Sequence, residues 1–88
     1  MVEENVMITN AIGLHARPAA LLVKTAGGFA CEIVLVKDNK TFNAKSILSV
    51  MSAGIKQHDT VTIRATGEGE EAAVAAVALL IKGGFGEK

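Results

Sequence analysis

The chain has little that could be chemically reactive through sulfur: Cys31 is its only cysteine. No internal disulfide and no cysteine cage for a metal can form, and the residue is expected as a small buried strand position rather than a catalytic thiol. Tryptophan and tyrosine are absent, and Phe29, Phe42 and Phe85 sit in no aromatic-basic motif. That argues against a nucleic-acid partner, which would want stacking platforms among cations. No glycine-rich loop ends in Lys-Ser or Lys-Thr, so a nucleotide-binding loop is excluded, and no other pocket motif stands in its place. No apolar run is long enough to span a bilayer, so direct membrane insertion is not expected. The opening Met1-Val2-Glu3-Glu4-Asn5 is acidic and lacks the basic and apolar regions of a secretory signal, which points to a cytoplasmic protein. His58 lies at a turn with no companion ligand, so neither a metal nor a cofactor is expected.

What is present is a chain of 88 residues, half of them hydrophobic, enough for one domain over residues 1–88 and a core covering about 60–65% of the unfolded surface. Stability on the order of 5–10 kcal/mol follows. Residues 2–8 read as a strand, and Thr60-Val61-Thr62-Ile63-Arg64-Ala65-Thr66 alternates polar and apolar side chains, as a strand with one wet face does. Residues 31–37 and 40–43 are joined by Asp38-Asn39, which tolerates left-handed backbone and so predicts a hairpin. Helical spacing of Ala19, Leu22, Val23 and Ala26, stopped by Gly27-Gly28, predicts a helix from Ala16. A last helix over 70–82 carries Glu70 and Glu71 in its first turn, Lys82 in its last, and Val74, Val77 and Ile81 as its inward stripe. The pattern is α+β: a two-layer open-faced sandwich, an antiparallel sheet covered by helices on one side.

The segment Gly13-Leu14-His15-Ala16-Arg17-Pro18-Ala19-Ala20 carries the chemistry. His15 stands at the lip of the first helix, and no Ser, Thr, Asp or Asn precedes Ala16 to cap it. The first amides, those of Ala16 and Arg17, are left to an external anion. The helix dipole favours a phosphate there and favours imidazole as a neutral nucleophile. Arg17 adds a forked donor for phosphate oxygens, and Pro18 stiffens the first turn where a missing N–H costs little. His15 has no Ser, Cys or carboxylate companion in this segment, so the chain reads as a stoichiometric substrate of other enzymes rather than as a catalyst.

Charge is balanced overall but unevenly spread. Residues 16–56 hold Arg17, Lys24, Lys37, Lys40, Lys45 and Lys56 against Glu32 and Asp38, whereas the flanks are acidic. The half with His15 would steer an acidic or phosphorylated partner. A short helix over 47–53 is expected between the hairpin and the last strand, with Ser46 as its N-cap and Gly54 as its stop. It is apolar nearly all round, so residues not needed by the core, expected to be Ile47, Leu48 and Met51, would form an exposed patch beside His15.

On these residues, with Asn43-Ala44-Lys45-Ser46-Ile47 and Val50-Met51-Ser52, the chain resembles HPr, the histidine-containing phosphocarrier family of the bacterial sugar phosphotransferase system, over essentially its whole length. The resemblance implies a four-stranded sheet with three helices on one face, and phosphorylation of His15, on Nδ1, by phosphorylated Enzyme I. From there the group passes to sugar-specific IIA proteins. It implies Ser46 as a regulatory site for HPr kinase/phosphorylase, a transcriptional regulator as a further partner, a docking surface of Ala20, Lys24, Ile47, Leu48 and Met51, and a monomer. Ser49 and His58 stand where many relatives carry glycine and Ala53 where a larger aliphatic residue is common. These departures fall on the short helix and on the turn before the last strand, where histidine tolerates positive φ less well than glycine.

Overall fold

The computed structural model describes residues 1–86. Strands β1 (Val2–Met7), β2 (Glu32–Lys37), β3 (Lys40–Asn43) and β4 (Thr60–Thr66) form one antiparallel sheet in the order β1-β4-β2-β3. Helices α1 (Ala16–Gly27), α2 (Ile47–Ser52) and α3 (Glu70–Lys82) lie on one face, giving the α+β open-faced sandwich. The alternation in β4 places Val61, Ile63 and Ala65 in the core and leaves Thr60 and Thr66 in solvent. β2 lies between β4 and β3, so even its outward residues Val34 and Val36 are half-buried, which explains its nearly continuous apolar run. Asp38 and Asn39 adopt φ of 52° and 64°, the paired left-handed residues that a two-residue hairpin needs.

One buried cluster joins the layers: Ile8, Leu22, Ile33, Leu35, Val50, Ile63, Val77 and Ile81 are essentially inaccessible. Surface ion pairs hold β1 in place, from the Met1 amine to Glu70 at 2.7 Å, Glu3 to Arg64 at 2.5 Å and Glu4 to Lys82 at 2.6 Å. Exposed as they are, each adds little to stability, but together they neutralise the acidic flanks against their own cations.

Three element boundaries differ from the sequence reading by one residue. β1 stops at Met7, because the amide and carbonyl of Ile8 pair instead with Asp59 O at 2.8 Å and the His58 amide at 2.7 Å, in the turn before β4. Cys31 is buried, but in the bend ahead of β2, pressed against Gly67 so closely that a Cβ there would stand 3.2 Å from its own Cβ. α2 ends at Ser52, with Ala53 as its C-cap. No helix among the described residues is long and apolar enough to cross a membrane.

Candidate functional site

The loop over 8–15 brings the chain from β1 to α1 and fixes where His15 stands. Leu14 is 5% exposed and anchors the loop in the core, while its amide donates to Ile55 O at 3.1 Å. One residue earlier, Gly13 has φ +77°, and a Cβ on it would lie 2.5 Å from Ile55 O and 2.7 Å from Lys56 Cα. Only glycine fits that close approach. Asn10 closes the loop from inside, its Nδ2 donating to Gly13 O at 2.7 Å and its carbonyl accepting from the Gly13 amide at 3.2 Å. With Leu14 turned inward, the next residue is carried to the surface: His15 is half-buried and is the N-cap of α1, in extended backbone (φ −79°, ψ −173°).

The His15 side chain does not cap the helix. The first helical hydrogen bond runs from the Ala19 amide to His15 O at 3.0 Å, and Pro18 has no amide. Among the described residues no acceptor engages the amides of Ala16 or Arg17. Two N–H donors therefore point out of a helix start that carries the positive end of a dipole and no acidic residue in its first turn. Arg17 is exposed beside them, as are Ala20 and Lys24 further along α1. Neither Arg17 nor Lys24 has an ion pair among the described residues.

At the start of α2, Ser46 Oγ accepts from the Ser49 amide at 3.2 Å, the N-cap that the sequence predicts. The hydroxyl of Ser49 in turn accepts from the Asn43 amide at 2.9 Å and ties the helix to the end of β3, a bond that glycine could not make. Val50 faces the core. Ile47, Leu48 and Met51 remain 44%, 81% and 43% exposed, and α2 packs beside α1, so these side chains and Ala20 and Lys24 belong to neighbouring helices.

Two features of this region escaped the sequence. Gly84, Phe85 and Gly86 all take positive φ (66°, 57° and 75°), which folds the chain back against α3 and buries Phe85. Its ring and Gly86 form a groove of about 390 Å³ with Arg17, Ala20, Leu21 and Lys24. The glycines on either side of Phe85 are the signal that such a reversal leaves in a sequence. The second is Asp59, whose carboxyl is held below the usual carboxylate range by the Lys56 amide and then by Lys37. The lysine is β2's contribution, 3.0 Å away across the molecule, a partnership that no local pattern announces. His58, one of the departures, has φ +74°, the strained geometry expected there. Among the described residues no three His, Cys, Asp or Glu side chains converge as metal ligands.

Comparison with known proteins places nearly the whole chain in one family. The PTS-HPr family, described as "PTS HPr component phosphorylation site", matches residues 2–83. The HPr-like protein Crh of Halalkalibacterium halodurans is 43% identical over 82 residues, covering 93% of this chain and 98% of that protein. The phosphocarrier protein HPr of Buchnera aphidicola is 43% identical over 74 residues, covering 84% and 87%. Among solved structures, HPr of Thermoanaerobacter tengcongensis superposes with a TM-score of 0.96 at 49% identity, covering 100% of this chain and 99% of that one. The HPr of that organism has also been solved as a dimer, with a TM-score of 0.79 at the same identity, covering 99% of this chain and 100% of that one.

Proposed function

The chain belongs to the HPr family, the phosphocarriers of the sugar phosphotransferase system, and from that premise we propose that it carries a phosphoryl group on His15. The observation that carries the reading is the helix start: an imidazole at the N-cap that leaves the amides of Ala16 and Arg17 to an outside acceptor, next to an exposed guanidinium. Nδ1 of His15 attacks the phosphorus of phosphorylated Enzyme I. A nitrogen–phosphorus bond forms as the donor's bond breaks, and the reverse geometry hands the group to a sugar-specific IIA protein. The Ala16 and Arg17 amides and the Arg17 side chain stabilise the charge spread over the three phosphoryl oxygens during both transfers. Imidazole is a good leaving group, so the carrier holds its cargo briefly. The chain acts as a single domain and as a stoichiometric carrier, with the chemistry driven by its partners in the cytoplasm.

Partners dock on Ala20 and Lys24 of α1 and on Ile47, Leu48 and Met51 of α2, where methionine and exposed aliphatics adapt to more than one surface. Ser46 is the regulatory position, the substrate of HPr kinase/phosphorylase. A phosphate there adds about −1.5 to −2 charges at a helix start that tolerates it, so the fold survives while docking of an acidic partner weakens and a transcriptional regulator gains a phosphate to read. A solved relative of 40% identity, Crh of Bacillus subtilis, is named the catabolite repression HPr, which keeps this regulatory use in view. One protomer contains every residue named here, and the monomer is the working form; a sedimentation measurement showing only dimer would contradict that. Incubation with Enzyme I and phosphoenolpyruvate is expected to yield one acid-labile phosphate per chain, and none in His15→Ala. An unchanged yield in that variant removes the proposal.

A further inference from the structure

Beyond the Asn10–Gly13 bonds within it, the loop over 8–15 is laid on a second loop, over 54–59, which leads from α2 to β4. Both ends are bonded to it: the Ile8 amide donates to Asp59 O at 2.8 Å and Ile8 O accepts from the His58 amide at 2.7 Å, while Leu14, the residue before His15, donates to Ile55 O at 3.1 Å. Gln57 Nε2 adds a bond to Thr9 O at 3.1 Å, and Gly13 lies against Ile55 O and Lys56 Cα without room for a methyl group. The backbone that leads into His15 therefore leans on residues 55 and 56.

Those residues are held by a carboxylate. Asp59 Oδ2 accepts from the Lys56 amide at 2.8 Å, closing a turn in which the Asp59 amide also donates to Lys56 O at 3.1 Å. The same carboxylate pairs with Lys37 Nζ at 3.0 Å, and that ammonium donates to Gly54 O at 3.3 Å. Lys37, fixed at the end of β2, thus spans the first and last residues of the supporting loop.

Resting on the phosphocarrier reading above, we propose that Asp59, clamped by Lys37, is a positioning residue for phosphoryl transfer at His15. It touches no reacting atom. It keeps Ile55 O and Lys56 where Leu14 and Gly13 need them, and so keeps His15 at the helix start beside the Ala16 and Arg17 amides. Displacement of that support by a fraction of an ångström costs in-line geometry more than it costs partner affinity, because the docking surface lies on α1 and α2.

The test is Enzyme I kinetics with this protein as the varied substrate, in wild type, Asp59→Ala, Asp59→Asn and Lys37→Met, each verified as folded by circular dichroism. The expected result for Asp59→Ala is a kcat lower by about tenfold with KM changed less than about twofold. Asp59→Asn keeps an oxygen for the Lys56 amide and is expected to recover most of the rate. Lys37→Met falls between them, and decides the matter if Asp59→Ala does not fold. Alongside, the amide resonances of residues 14–17 should move in Asp59→Ala and return in Asp59→Asn. Wild-type kcat in a folded Asp59→Ala or Lys37→Met protein, or equal kcat loss in Asp59→Ala and Asp59→Asn, overturns the inference. Failure of wild type itself to accept a phosphoryl group would instead overturn the carrier reading, and the amide resonances would still report on the positioning.

Discussion

Replacing Gly13 by alanine should be far more damaging than the same change at Gly69, although both residues have nearly the same left-handed backbone, with φ of +77° and +80°. At Gly69 a Cβ would meet nothing within 4 Å. The cost there is the left-handed conformation alone, at the low end of about 1–3 kcal/mol. It is partly offset by the roughly 0.4–1 kcal/mol that alanine removes from the entropy of the unfolded chain. The net loss at Gly69 is about 0–0.6 kcal/mol. At Gly13 the new methyl would stand 2.5 Å from Ile55 O and 2.7 Å from Lys56 Cα, which are backbone atoms that cannot rotate aside. The loops must separate, and the Leu14–Ile55 hydrogen bond, a further ~1 kcal/mol, goes with them. The expected loss is about 2–4 kcal/mol, a large part of the total stability. Urea unfolding of the two variants reads the difference directly as a shift of midpoint at constant slope. A Gly13→Ala midpoint as close to wild type as that of Gly69→Ala would refute the claim that the loop over 54–59 supports the one that carries His15.

Asp59 and Glu70 are both held below their ordinary values of 3.8 and 4.5, Asp59 by the Lys56 amide and Lys37, Glu70 by the N-terminal ammonium and the Gly67 amide. The stability they contribute is present in full above those ordinary values and is lost as pH falls through the lower folded ones. The urea midpoint should therefore decline below about pH 4.5, and less steeply in the Asp59→Asn, Glu70→Gln double variant. Ser46→Ala should cost about 1 kcal/mol through the lost cap, measured by thermal or urea unfolding, whereas Ser46→Asp, whose carboxylate can cap, should cost much less. Leu48 is 81% exposed, so Leu48→Ala should leave stability within about 0.5 kcal/mol while raising KM for Enzyme I about fivefold; an unchanged KM would remove Leu48 from the docking surface.

The sequence made the elements legible wherever local pattern and packing agree. The two-residue period of β4, the left-handed Asp38-Asn39, and the charged ends of α3 each correspond to a single physical cause acting within a few residues, and each element stands where that cause puts it. The helix start at Ala16 and the Ser46 cap were legible for the same reason, as was the exposed remainder of α2, which is too short to bury all its apolar side chains. Contacts between distant residues were not legible. Nothing near Asp59 names Lys37 as its partner, and nothing near Gly13 reveals that Ile55 and Lys56 press against it. Phe85 reads as an ordinary apolar residue after a helix until the left-handed backbone on both sides folds it back into the core. The support of the candidate site was thus hidden, because it is made of long-range contacts, whereas the candidate site is read from a short motif.

The central claim is that the phosphoryl group rests on His15 against the Ala16 and Arg17 amides, and nuclear magnetic resonance of ¹⁵N-labelled protein phosphorylated by Enzyme I and phosphoenolpyruvate tests it most directly. Phosphorus coupled to Nδ1 of His15 is expected, with the largest amide displacements at Ala16 and Arg17. A phosphoryl group found on any other side chain, or on His15 with those two amides unmoved, would contradict it.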